Sequence, residues 1–82
     1  MEKIISSNSV HKADKDAQHV LINLKGEWSV KRSGAVKVSR TFPSKADAIR
    51  YARNLGKRLH TIVFIHDESG NVQKVENFEK KE

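Results

Sequence analysis

The chemistry that this sequence most clearly offers is the binding of anions by basic side chains. Within TFPSKADAIRYARNLGKR, residues 41–58, the bases Arg50, Arg53 and Lys57 recur at steps of three and four. Residues at that spacing share one flank of an α-helix, where they could contact successive phosphates. We predict that six residues bind a nucleic acid or another anionic partner: Lys31, Lys37, Lys45, Arg50, Arg53 and Lys57.

The positive charge is concentrated in the middle of the chain. The 82 residues carry 16 Lys and Arg against 10 Asp and Glu, a net charge of +6. Residues 25–58 hold ten bases and two acids, a net of +8, whereas residues 67–82 hold three bases and five acids, a net of −2. Such a field steers a protein towards anionic partners, and the alternative is a solvated helix flank that serves solubility alone.

The four histidines do not have the spacing of a metal site. His11, His19, His60 and His66 form no pair at ligand spacing on a helix, and the chain has no cysteine. His66 and the two acids that follow it could suggest an acid/base cluster. We interpret them instead as the polar end of a strand that enters a turn. The sequence indicates neither a Gly-rich phosphate loop nor a Ser-His-Asp set. We predict no metal, no cofactor, no small-molecule substrate and no enzymatic activity.

Three strands are predicted before the helix that carries the basic row. HVLINL and EWSVKR follow one another across a turn at Gly26, and EWSVKR alternates so that Trp28 and Val30 face inward. VKVSRTF then continues the meander, with Val36, Val38 and Phe42 predicted to face inward. Pro43 ends this third strand because proline cannot donate to a ladder.

The predicted helix starts at a cap and carries one apolar stripe. Ser44 can accept from the backbone N–H of Asp47, whose charge suits the first turn. Gly56 is expected to weaken the last turn, so that the helix frays at residues 57–59. The stripe that we expect against the sheet comprises Ala48, Ile49, Ala52, Leu55 and Leu59.

Two further strands complete an α+β domain. TIVFIH is apolar on both faces, and VQKVENF follows it across a turn at Gly70. We predict a two-layer fold, a mainly antiparallel sheet with one helix packed on it, in the order β-β-β-α-β-β. We expect residues 1–18 to be a flexible segment, residues 19–78 the single domain and residues 79–82 a charged tail.

Location is predicted from the apolar runs. The longest apolar run, residues 62–65, is far shorter than the roughly 18 residues of a membrane span. The start of the chain lacks the apolar stretch of a signal peptide, and the absence of cysteine fits a reducing compartment. We therefore predict a soluble cytoplasmic protein that does not enter a membrane.

Two stretches of the chain resemble a known family. GEWSVKRSGAVKVSRTFPSKADAIRYARNL, followed by IVFIHDESGNV, is similar to DUF2188, a small bacterial and phage-associated domain of unknown function. The family's usual proline in the first strand is absent here. The resemblance covers roughly residues 19–75; it implies the fold and implies no function. It rests on Gly26, Trp28, Val30, Gly34, Ser44, Ala48, Ile49, Ala52, Arg53, His66 and Gly70.

The sheet offers a second kind of binding surface. One face of a two-layer sheet has no helix over it, and an apolar face flanked by charges is typical of a protein interface. Leu21, Val63 and Ile65 share one strand parity and are predicted to form this interface, opposite to the set Val20, Ile22, Ile62 and Phe64.

Two functions follow from these surfaces. The leading hypothesis is a non-catalytic binding module, acting by protein interaction or homo-oligomerisation through the sheet face. One form of it is a phage-type inhibitor or regulator of a nucleic-acid-processing protein. The alternative is direct nucleic-acid binding through the basic helix.

Overall fold

The computed structural model describes residues 16–79. The predicted flexibility of residues 1–15 and most of the predicted tail lie outside this range. The α+β class and the order β-β-β-α-β-β are confirmed. No helix in the described range is long and apolar enough to cross a membrane. The elements are β1 (Gln18–Ile22), β2 (Trp28–Arg32), β3 (Arg40–Phe42), α1 (Lys45–Leu59), β4 (Ile62–His66) and β5 (Val72–Asn77).

The five strands form one mixed sheet in the order β3-β2-β1-β4-β5. β1 pairs in parallel with β4, and the other three pairings are antiparallel. The parallel pair arises because the chain crosses over through α1 before it returns beside β1. β1 and β4 are therefore inner strands, whereas β3 and β5 form the edges.

The core lies between α1 and one face of the sheet. Val20 pairs with Val30 on β2 and with Ile65 on β4, so these three side chains share the face that α1 covers. Ala48 and Ala52 are fully buried on the helix, and their small side chains let it lie close to the sheet. Trp28 also belongs to this core, as its alternating position predicts.

The helix begins as predicted, but its end differs. Ser44 is extended, with φ −121°, and its Oγ accepts from the backbone N–H of Asp47 at 3.1 Å. The predicted fraying is not observed: the helix continues to Leu59 and is closed by His60 in the left-handed conformation, with φ 55°. The backbone N–H groups of His60 and Thr61 both donate to the carbonyl of Gly56.

The third strand is shorter than predicted. Pairing between β2 and β3 begins at Arg40 opposite Val30, so the residues before Arg40 leave the sheet and form a loop. Val36 is 95% exposed and Val38 is 46% exposed, and their predicted inward orientation is wrong. The alternation of VKVSRTF is therefore not evidence of burial, because most of it lies beyond the pairing with β2.

Candidate functional site

The face of the sheet that points away from α1, the open face, carries a continuous row of four side chains. The strand registers place Lys31, His19, Phe64 and Val75 side by side across β2, β1, β4 and β5. Val75 is 52% exposed, and the other three are half-buried. The row is thus apolar and aromatic, with a cation at one end.

Of the three predicted interface residues, only Leu21 lies on this open face. Val63 and Ile65 are 0% and 3% exposed and belong to the core, so their predicted place on the open face is wrong. The register explains the error, because Val63 pairs with Gln18 and Ile65 pairs with Val20. Both faces of TIVFIH are apolar, so the sequence alone does not decide which one meets the helix.

A hydrogen-bonded cluster occupies the β2 side of the open face. His19 Nδ1 lies 3.0 Å from His66 Nε2, and His19 Nε2 lies 2.9 Å from Ser33 Oγ. The other ring nitrogen of His66, Nδ1, lies 3.0 Å from the carbonyl oxygen of Gly70. The ring of His19 also stacks on Phe64, with centroids 4.9 Å apart and planes 16° apart. We call Ser33, His19 and His66 the histidine cluster.

The contact with Gly70 fixes the direction of every hydrogen bond in the neutral cluster. A carbonyl only accepts, so His66 Nδ1 carries the hydrogen and His66 Nε2 is the acceptor. His19 Nδ1–H therefore donates to His66, and His19 Nε2 accepts from the hydroxyl of Ser33. If one proton is added to the cluster, all three contacts can remain hydrogen bonds, provided that His66 Nε2–H donates to His19 Nδ1. Two added protons would place an N–H of His66 against an N–H of His19.

The surroundings of the cluster disfavour a positive charge on His19. Burial lowers the pKa of His19, and the nearby His66 and Lys31 lower it further. These three causes all disfavour the positive charge, and no carboxylate offsets them. The positive charge that an anion entering the site would meet comes from Lys31, beside hydrogen-bond donors of the cluster.

The cluster lines a cavity of about 280 Å³. The lining residues are Lys31, Arg32, His19, His66, Ser33, Gly34 and Leu21, and alternation in β2 places the side chain of Lys31, but not that of Arg32, on the open face. Such a set can hold an anion through charge-assisted hydrogen bonds. The same three groups also occur in the order found in hydrolases. There a hydroxyl, as in Ser33, is the nucleophile, a first imidazole, as in His19, is its base, and a third group, as in His66, orients the base.

Sequence reasoning missed the histidine cluster. Ser33 and His19 are 14 residues apart, and His19 and His66 are 47 apart, so no local spacing joins them. The available signal is their position: His19 is near the start of β1, His66 ends β4 and Ser33 follows β2. Only the parallel pairing of β1 with β4 and the open-face parity of both histidines bring them together.

The predicted basic row on α1 makes contacts within the protein. Arg53 forms a two-pronged ion pair with Glu76 on β5, at 2.7 and 2.6 Å. That hydrogen bonding lowers the pKa of Glu76 and raises the pKa of Arg53. Arg50 pairs with Asp47 at 3.0 Å. This helix lies on the side of the sheet opposite to the open face.

The remaining predicted cations are divided between the two sides. Lys45 Nζ donates to Gln73 at 2.6 Å and lies 4.6 Å from the centroid of the Trp28 ring. Lys57 Nζ lies 5.9 Å from the centroid of the Phe78 ring. By contrast, Lys31 lies on the open face, and Lys37 lies in the exposed loop before β3. The six residues therefore do not form one surface.

Within residues 16–79, no group of three or more His, Cys, Asp or Glu side chains is placed to hold a metal ion. The two ring nitrogens that face each other in the histidine cluster already form a hydrogen bond. The features that characterise the cluster are therefore its hydrogen bonds and the cavity that it lines.

Comparison with known proteins supports the resemblance seen in the sequence. The model of the family described as "Uncharacterized protein conserved in bacteria (DUF2188)" matches residues 18–78. "Uncharacterized protein YdaT" of Bacillus subtilis (strain 168) is 36% identical over 69 residues, which are 84% of this chain. The match covers 45% of that relative, so this chain spans less than half of its length. No solved structure matches this chain.

Proposed function

The chain belongs to the DUF2188 family, and we propose that it is a non-catalytic module that binds a partner protein through the open face of its sheet. The partner would present apolar side chains next to an anionic group. The observation that carries this proposal is the row formed by Lys31, His19, Phe64 and Val75, which joins an apolar surface to a cation.

Incomplete burial supports an interface on the apolar part of the row. Val75 is 52% exposed and Val72, opposite His66, is 51% exposed, although both occupy sheet positions. Leu21 and Phe64 beside them are only half-buried. Covering such neighbouring apolar side chains is favourable by roughly 25 cal/mol for each Å² removed from water. A partner with apolar side chains would gain that energy.

Charge favours a different protein over a second copy of this chain. Among the described residues, the five strands place no carboxylate on the open face, whereas β2 places Lys31 there. Two copies packed through this face would bring two lysines and two histidine clusters together without an acid from either face. An anionic group from another protein would complement them.

The alternative function is direct nucleic-acid binding through the basic helix. The exposed Arg50 and the position of Lys57 favour it, since both side chains reach solvent on one helix flank. The ion pair of Arg53 with Glu76 disfavours it, because a phosphate would have to replace a two-pronged carboxylate contact. We therefore rank it second. A role in phage or in regulating nucleic-acid processing stays a prediction.

The proposal can be tested by photo-crosslinking from the open face. A photoreactive phenylalanine derivative placed at Leu21 in the full chain should crosslink a partner protein, which is then identified and purified. The matched control carries the same derivative at Asn54, an exposed position of α1. The purified partner should bind the wild type, and Leu21→Lys and Val75→Lys should each weaken its binding at least tenfold.

Three results would overturn the proposal. One is equal crosslinking from Leu21 and Asn54, and another is a crosslink from Leu21 to a second copy of the chain. The third is oligonucleotide binding that persists at physiological salt and is abolished when Arg50, Arg53 and Lys57 are all replaced by glutamine. Circular dichroism of each variant ensures that the loss of binding is not loss of folding. Val75→Lys is the safer variant, because half of that side chain is already exposed.

A further inference from the structure

The cavity at the histidine cluster differs from two other cavities of the described residues in the charge of its lining. A cavity of about 590 Å³ beside the β1–β2 turn includes Glu27 in its lining, and one of about 370 Å³ near the start of α1 includes Asp67 and Glu68. The lining of the 280 Å³ cavity contains Lys31 and Arg32 but no carboxylate. An anion is therefore favoured at this cavity over those two.

We propose that this cavity binds the phosphate group of a phosphorylated side chain on the partner protein. The inference rests on the proposed function for the source of the phosphate, but the phosphate site itself can be tested without a partner.

The donors match a phosphate monoester. Lys31 supplies a full positive charge, and Ser33 supplies a hydroxyl at the same edge of the cavity. Phosphate monoesters carry close to two negative charges at neutral pH and three strong acceptor oxygens, so several charge-assisted hydrogen bonds can form at once.

The histidine cluster can adjust its protons to the same ligand. One added proton makes His66 the donor to His19, and His19 Nε2–H is then free to donate to Ser33 or to a phosphate oxygen. A phosphate dianion favours that protonated form by direct attraction. Phosphate binding should therefore favour the protonated form of the cluster over the neutral form.

The volume of the cavity limits the size of the ligand. About 280 Å³ lies at the lower end of the roughly 300 to 1,000 Å³ typical of ligand pockets, which accommodates a phosphate and a short stem more readily than a nucleotide. Leu21 lines the same cavity and also lies on the open face. A phosphorylated side chain would thus enter from the surface that the partner covers.

The test is a titration of the full chain, followed by NMR, with three ligands: inorganic phosphate, a short phosphoserine peptide and the same peptide with serine. We expect the amide signals of Ser33 and Gly34 to shift with both phosphate ligands and not with the serine peptide. Lys31→Gln should weaken binding at least tenfold. The matched control, Lys57→Gln on α1, removes the same charge and should leave the affinity within twofold.

The outcomes separate the two proposals. Equal weakening by Lys31→Gln and Lys57→Gln would show a general charge effect and overturn the phosphate site. Tighter binding of a 5′-mononucleotide than of the phosphoserine peptide would overturn a protein as the source of the phosphate. If phosphate binds in the cavity but Leu21→Lys and Val75→Lys leave partner binding unchanged, the phosphate site stands and the proposed function fails.

Discussion

The backbone of Gly56 lies directly against the side chain of Val63. A Cβ atom added to Gly56 would stand 2.7 Å from Val63 Cγ2 and 2.8 Å from Phe78 Cδ2. We expect Gly56→Ala to destabilise the domain by about 1 to 3 kcal/mol through overpacking, despite the gain of about 1 kcal/mol that alanine has over glycine in helix propensity. Urea unfolding of the variant measures this change.

Asn54→Ala is the control for helix propensity. Asn54 is exposed on the same helix, so alanine there should stabilise the domain by a few tenths of a kcal/mol. If Gly56→Ala were also stabilising, the close approach of Gly56 to Val63 would not limit the packing of α1.

The two ends of α1 show what local sequence can decide. The cap at Ser44 was predictable because it depends on residues within one helical turn. Gly56 was misjudged because its role depends on Val63 and Phe78, which belong to later parts of the chain. Helix propensity depends only on the residues of the helix. The presence of glycine at position 56 is instead explained by its contact with Val63 on β4, a strand that the helix covers.

The candidate site was predictable only in part. Leu21 was correctly placed on the open face because alternation within β1 fixes its orientation. Val63 and Ile65 were misplaced because β4 is apolar on both faces and its register depends on a parallel pairing with β1. The histidine cluster depends on the same pairing, so sequence spacing did not reveal it.

The ion pair between Arg53 and Glu76 should contribute measurably to stability. The side chain of Arg53 is 42% exposed and that of Glu76 is 14% exposed, so the carboxylate is largely shielded while the guanidinium is not. Exposed pairs couple by about 0.2 to 1 kcal/mol, and the two-pronged geometry places this one near the upper end of that range. A double-mutant cycle with Arg53→Ala and Glu76→Ala measures the coupling energy.

The same pair should show a pH dependence of known sign. Hydrogen bonding to Arg53 lowers the pKa of Glu76 below its ordinary value of 4.5. Its stabilising effect is therefore complete above pH 4.5 and is lost as the pH falls through the lower pKa of the folded state. Repeating the cycle in acid should give a coupling near zero. An unchanged coupling there would mean that the pair does not act through the ionised carboxylate.

The exposed valines of the loop before β3 should matter little for stability. Val38 is 46% exposed, whereas Val30 is fully buried between α1 and the sheet. We expect Val38→Ala to change the free energy of unfolding by less than about 0.5 kcal/mol, as surface substitutions usually do. Val30→Ala should cost roughly 2 kcal/mol because it leaves a cavity. Similar losses in both variants would place Val38 in the core after all.

The burial of His19 should make stability depend on pH below 6.5. His19 has a pKa below 6.5, through burial first and then through His66 and Lys31, while Ser33 and Phe64 add no charge beside its ring. Its contribution to stability is therefore complete above pH 6.5 and is lost as the pH falls towards the lower folded pKa.

NMR titration of the ring signals tests this assignment. In wild type, His19 should titrate below 6.5, and replacing its neighbour by His66→Gln should raise the pKa of His19 because one source of repulsion is gone. The pKa should still stay below 6.5, since burial is the larger cause and remains in the variant. A His19 that titrated at or above 6.5 in wild type would mean that an acid pairs with it in solution. An acid beside the ring would repel a phosphate, and this result would contradict the proposed phosphate site.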